Sequence, residues 1–230
     1  MSEAADQTSS RLRRRSRRAR RVRNHLVLGV SSLAAAWAVF GAIESSDTLF
    51  RVSMATAYVG LVLFTITLGF GSVAALRGRR YPVSTDIRRD FGIWSGLFAT
   101  AHVVAGLQVH LKGKMWEYFV RPTKGLLLPR IDPFGAANYT GLAAGLILVA
   151  LLVTSNDASL RGLGSSRWRS VHELTPWALA LTLVHAATYQ LVESRPFGYV
   201  VLLAALAVTV VCLRLARARS ARSGDGIRLP

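Results

Sequence analysis

One cysteine, Cys212, leaves the chain no internal disulfide and no cysteine metal cluster. Carboxylates are scarce where they would matter most. Of twelve Asp and Glu residues, only Glu173 touches the edge of a long apolar run. That removes the acidic relay expected of a proton pathway through a membrane, and the carboxylates that could complete a tetrahedral zinc site. No Gly-x-Gly-x-x-Gly or P-loop stands in a strand-to-helix context, so no nucleotide-binding unit is expected. There is no internal repeat, and no segment long enough for a soluble domain.

What the chain does have is apolar residues gathered into blocks. Hydrophobic residues make up 51% of the 230, and the mean hydropathy is +0.34. Runs of about 18 apolar residues span the hydrocarbon of a bilayer. Six candidates occur: 26–43, 53–76, 91–111, 139–155, 171–192 and 196–213. The fourth and sixth are the shortest. The fold expected is therefore all-α, an integral membrane six-helix bundle crossing the cell inner or plasma membrane repeatedly.

The formal net charge of +17 is a topology signal rather than a nucleic-acid footprint. With the N-terminus inside and six crossings, the inner segments hold nine Arg in 11–23, five in 77–89, three in 161–169 and five in 214–228. That is 22 of the 29 basic residues, against seven outside. Both termini are expected in the cytoplasm. Residues 1–24 read as a disordered basic tail against anionic lipid headgroups, 25–214 as the transmembrane domain, and 215–230 as a second basic tail. The connection 112–138, with three prolines, Trp116, Tyr118 and Phe119, suits an outer interfacial lid or short amphipathic helix.

Four of the five histidines fall on two runs, the third and fifth; His25 sits at the inner edge of the first. At about 1.5 Å per helical residue, His102 lies about 16 Å into the third run and His110 about 28 Å; His172 lies about 2 Å into the fifth and His185 about 21 Å. His102 and His185 are the best matched in depth. Two neutral imidazoles at one level on facing helices are what a bis-histidine heme requires. His172 and His185 are thirteen residues apart, about 140° round an ideal helix, so either the helix is distorted or they address different sites. A second, inner site at His172 is the preferred reading. His110 is the weakest candidate.

The stretches "RRDFGIW", with His102 eight residues beyond Trp94, and "LVTSNDASLRGLGSSRWRSVHELTPWALALTLVH" resemble the ferric reductase-like transmembrane domain. The matching residues are Arg88, Arg89, Gly92, Trp94, His102, Thr154, Ser155, Asp157, Leu163, Gly164, Arg167, Trp168, His172 and His185, and the likeness covers about 53–213. Within the family, the chain is most similar to the short bacterial branch that supplies the membrane heme subunit of periplasmic methionine sulfoxide reductase. The resemblance implies a bundle holding heme b, one or two per chain, with axial iron ligands among His102, His185 and His172. FMN or a quinone are further candidate cofactors. It implies an oxidoreductase component moving electrons from a cytoplasmic flavin reductase or quinol to an extracytoplasmic redox protein. Longer relatives carry a fused flavin and nicotinamide domain, which this sequence lacks. A cofactor-free transporter or a structural anchor subunit is the alternative. Membrane lipid is an expected partner; nucleic acid is not.

Overall fold

The structure, a computed structural model, describes residues 2–76, 85–111 and 113–224. Among them are seven α-helices: α1 (Ser2–Ala42), α2 (Thr48–Leu76), α3 (Thr85–Gly106), α4 (Pro133–Thr154), α5 (Asp157–His172), α6 (Thr175–Val192) and α7 (Phe197–Gly224). A 3-10 turn, Met115–Tyr118, and an antiparallel hairpin of β1 (Val120–Thr123) and β2 (Leu126–Pro129) join α3 to α4. Lys124 and Gly125, both with positive φ, close that hairpin as a two-residue turn.

Local chemistry explains the helix starts. Asp132 caps α4, accepting from the Gly135 amide at 2.7 Å, with Pro133 in the first turn. Asn156 caps α5, accepting from the Ser159 amide at 2.7 Å. Inside α5, Gly164 has φ +74 and interrupts the helix, a conformation that favours glycine.

Four helical stretches are long and apolar enough to cross a membrane: Arg14–Ala42, Thr48–Phe70, Pro133–Thr154 and Phe197–Ala216. α3 and α6, which carry His102 and His185, do not reach that standard, so apolarity alone does not deliver the six crossings expected. Large apolar side chains face outward along the crossing helices, among them Trp37, Val30, Leu146 and Val208. An outward apolar surface belongs in lipid, where burial of hydrocarbon does not drive helices together and close packing of small residues does. Here Gly60 admits Phe98 and Gly96 admits Leu152, bringing α2 and α4 against α3. Phe64 and Leu68 meet Ala178, Leu179 and Val210 in a cluster that joins α2, α6 and α7.

Three expectations need correction. Residues 2–24 are not a disordered tail: α1 runs unbroken from Ser2 to Ala42, in keeping with the good helix propensity of arginine. Its N-terminal half is docked on α3, with Arg17 and Arg20 on Asp86, and Arg21 and Asn24 on Asp90. Partners 17 with 86 and 21 with 90 keep one offset, so α1 and α3 run in the same direction. The second basic tail is helical as far as Gly224, and 225–230 lie outside the described residues, as do Arg77, Arg79, Arg80 and Lys112. The run 171–192 is also not one helix: α5 ends at His172, and α6 begins at Thr175 with Pro176 in its first turn.

Candidate functional site

α3 and α6 present His102 and His185 to one cavity between α2, α3, α4 and α6. The Nδ1 of His102 is 2.9 Å from the Ser53 carbonyl and 3.0 Å from the Ser53 hydroxyl. The Nδ1 of His185 is 2.8 Å from the Ala137 carbonyl. A carbonyl oxygen can only accept, so in both rings Nδ1 carries the hydrogen and Nε2 keeps its lone pair. Fixing one ring nitrogen in this way orients the other as a ligand. The ring centres are 6.1 Å apart and the planes meet at 70°.

Small residues make the space. A Cβ at Gly141 on α4 would stand 2.4 Å from the His185 Nδ1 and 2.6 Å from its Cε1, so only glycine lets this ring lie against the helix. Gly60, Gly106, Ala144 and Gly145 border the same cavity.

His110 is held elsewhere. α3 ends at Gly106, and His110 lies in the turns beyond, at the hairpin end of the cavity. Its backbone amide donates to the Tyr118 hydroxyl at 2.9 Å, and its Nε2 stands 2.9 Å from Glu193 Oε1, at ion-pair distance without hydrogen-bond alignment. Its ring stacks on Tyr189 at 6.2 Å, and Tyr189 in turn lies edge-on to His185 at 5.0 Å. Glu193 also receives Arg195. This outer cluster went unread in the sequence, because its charged members sit just past an apolar run and look like loop residues.

His172 is a third case. It ends α5, stacked on Trp168 at 3.9 Å with planes 26° apart. The Trp168 indole donates to the Thr154 carbonyl at 2.9 Å, satisfying one of the orphan acceptors at the end of α4. The His172 Nε2 is 3.4 Å from the Thr154 hydroxyl. His172 does not border the cavity of His102 and His185. Among the described residues, no group of three or more His, Cys, Asp or Glu could hold a metal ion by itself.

The end of the bundle where α1 meets α3 is organised by ion pairs. Asp90, fully buried, receives Arg21 at 2.8 Å and Asn24 at 3.1 Å, with His25 at 3.3 Å. His25, at the edge of the first apolar run, is thus a half-buried member of the cluster around Asp90. Arg17 beside Asp86 holds that carboxyl down at about 2, and Arg89 paired with Asp157 lowers that one too. Arg161, Arg167 and Arg169 stand on the exposed part of α5.

Residues 52–183 match the family described as ferric reductase like transmembrane component. Two similar proteins are each named protein-methionine-sulfoxide reductase heme-binding subunit MsrQ. One, from Deinococcus radiodurans, is 30% identical over 137 residues, 58% of this chain and 61% of that protein. The other, from Rhodospirillum rubrum, is 27% identical over 169 residues, 72% of this chain and 73% of that protein. The chain therefore spans about three fifths of the first relative's length. No solved structure matches.

Proposed function

The chain belongs to the ferric reductase-like transmembrane component family, and from that premise we propose that it binds heme b and carries electrons across a bacterial inner membrane. The observation that carries this reading is the paired imidazoles of His102 and His185. With metal–nitrogen bonds of about 2 Å, two rings on opposite faces of one metal have their centres about 6 Å apart. The observed 6.1 Å fits. Two imidazoles alone make a poor metal site, whereas a tetrapyrrole supplies four nitrogens of its own. When bound, heme supplies the one-electron chemistry.

The rest of the task falls to the chain. Ser53 and Ala137 hold the two ring tautomers, and the glycines of α2, α3 and α4 leave a flat space. A heme held by both imidazoles would favour electron transfer over oxygen activation. α3 and α6 complete a six-crossing bundle with α1, α2, α4 and α7, both termini inside, while α5 lies along the inner surface. His172 and Trp168 form the entry side, where a second heme, FMN or a quinone would receive electrons from a flavin reductase or quinol. We assign the hairpin side to an extracytoplasmic redox protein; the similar proteins are named as heme-binding subunits of a protein-methionine-sulfoxide reductase, which supports a redox partner.

A visible spectrum of detergent-purified protein tests the reading. The wild type is expected to show a six-coordinate, low-spin b-type spectrum that is lost in both His102→Ala and His185→Ala. A colourless wild type, or a full six-coordinate spectrum in both variants, would remove the pair from the function.

A further inference from the structure

The cavity between His102 and His185 is polar at one end only. Toward the inner side its wall is made by Phe64, Leu148 and Ser95, and the Ser95 hydroxyl is already given to the Gly60 carbonyl at 3.1 Å. Toward the outer side stand Arg195, Glu193, His110 and Gln190. Arg195 reaches this wall because Ser194 takes φ +47, a left-handed conformation that costs a non-glycine residue about 1 kcal/mol, and turns the chain back over α6.

Two features mark the outer end as a site for a carboxylate. The Arg195 side chain is only 16% exposed, and its Nε and Nη2 lie 2.7 and 2.6 Å from Glu193 Oε2. A guanidinium has five N–H groups, so the pairing with Glu193 leaves donors for a second acid. Gln190 is 8% exposed, and its side-chain oxygen has no hydrogen-bond partner, while its nitrogen lies 3.3 Å from the Tyr58 hydroxyl. Turned over, the same amide accepts from Tyr58 and offers its N–H groups to the cavity.

We propose that the outer end of the cavity is a carboxylate-binding subsite in which Arg195 pairs with a propionate of the tetrapyrrole. The macrocycle then stands with its acids toward the hairpin side and its apolar edge toward Phe64 and Leu148. The opposite orientation would bury two acids against a wall without a free donor. The arginines of α5, Arg161, Arg167 and Arg169, border no part of this cavity. This assignment rests on His102 and His185 as axial ligands, and the test separates the two.

Heme-depleted full-length chain in detergent is titrated with hemin and with hemin dimethyl ester, following the Soret band. Wild type is expected to bind hemin at least about tenfold more tightly, the worth of one charge-assisted hydrogen bond. Arg195→Gln should lower hemin affinity to that of the ester while keeping the low-spin bis-imidazole spectrum, Arg195→Lys should keep part of the preference, and Arg161→Gln should change nothing. An Arg195→Gln chain with the wild-type preference, or loss of that preference in Arg161→Gln, would overturn the subsite. If wild type gives no low-spin spectrum with either porphyrin, the ligand assignment itself fails. Should Arg195→Gln not fold, resonance Raman of Arg195→Lys decides: a shifted propionate-bending band supports the contact, and an unshifted one refutes it.

Discussion

Gly141 and His185 are in contact so close that the first has no room for a side chain: its missing Cβ would fall 2.4 Å from the imidazole Nδ1. That nitrogen is also the one tied to the Ala137 carbonyl one turn earlier on the same helix. α4 therefore both holds the ring by its carbonyl and makes way for it at the glycine.

Gly141→Ala should push the His185 ring off its carbonyl partner. Overpacking of this kind costs about 1–3 kcal/mol, and here it falls on one of the two imidazoles proposed to hold the heme. We expect a lower heme content and a high-spin component in the spectrum, with helicity unchanged. Gly162→Ala, where an added Cβ meets nothing within 4 Å, serves as the control and should leave the spectrum as it is. Identical spectra from both variants would show that the contact does not position the ligand.

His172 makes a separate prediction, because the break between α5 and α6 puts it outside the cavity of the other two. His172→Ala should preserve the low-spin signature of the His102 and His185 pair while lowering heme per chain or slowing reduction from the inner side. Pyridine hemochrome quantification gives the first number and stopped-flow reduction in inverted vesicles the second. No change in either would leave His172 and Trp168 a purely structural stack.

Much of this arrangement was legible. Helical rise alone matched His102 with His185 in depth, and the apolar blocks located the main helices, although α1 begins 24 residues before its block and α7 runs 11 residues past its own. The break before α6 was signalled as well: Pro176 has no N–H to give to the carbonyl four residues earlier, so a helix continuing from α5 is interrupted there. The apolar run beyond Pro176 hides the break, because a proline also suits the first turn of a helix. The docking of α1 was not legible. Arg17 and Arg21 stand one turn apart on one face, and Asp86 and Asp90 repeat that spacing 69 residues later, but only the fold brings the two patterns together. Gly141 was invisible for the same reason, since its importance comes from a ring 44 positions away.

The two acids of that docking should differ in weight. Asp90 is wholly buried with Arg21 at 22% exposure, whereas Asp86 faces Arg17 and Arg20, each about half exposed. Asp86 is itself only 7% exposed, but its arginines are open to solvent, which screens that pair; removing one partner of a fully buried pair costs about 3–5 kcal/mol, and exposed pairs contribute about 0–1. Asp90→Ala should therefore lower the thermal midpoint in detergent far more than Asp86→Ala. Equal shifts would mean that Asp90 is not held as a buried charge.

Acid should loosen the same contact within a defined window. Arg17, hydrogen-bonded to Asp86, depresses its carboxyl to about 2 from an ordinary value near 3.8, and Arg89 depresses that of Asp157. A carboxylate whose value is lowered by folding contributes stability that is complete above its unfolded value and is lost as pH falls toward its folded one. The thermal midpoint should accordingly be insensitive to these two acids between pH 8 and about 5, then decline between about 4 and 2. Because Arg17 and Arg20 are about half exposed, salt should weaken the contribution at neutral pH. Asp86→Asn should start lower at pH 7 and decline less on acidification, so that the variant and wild-type curves converge near pH 2. Parallel curves across that range would show that Asp86 does not carry the docking of α1 on α3.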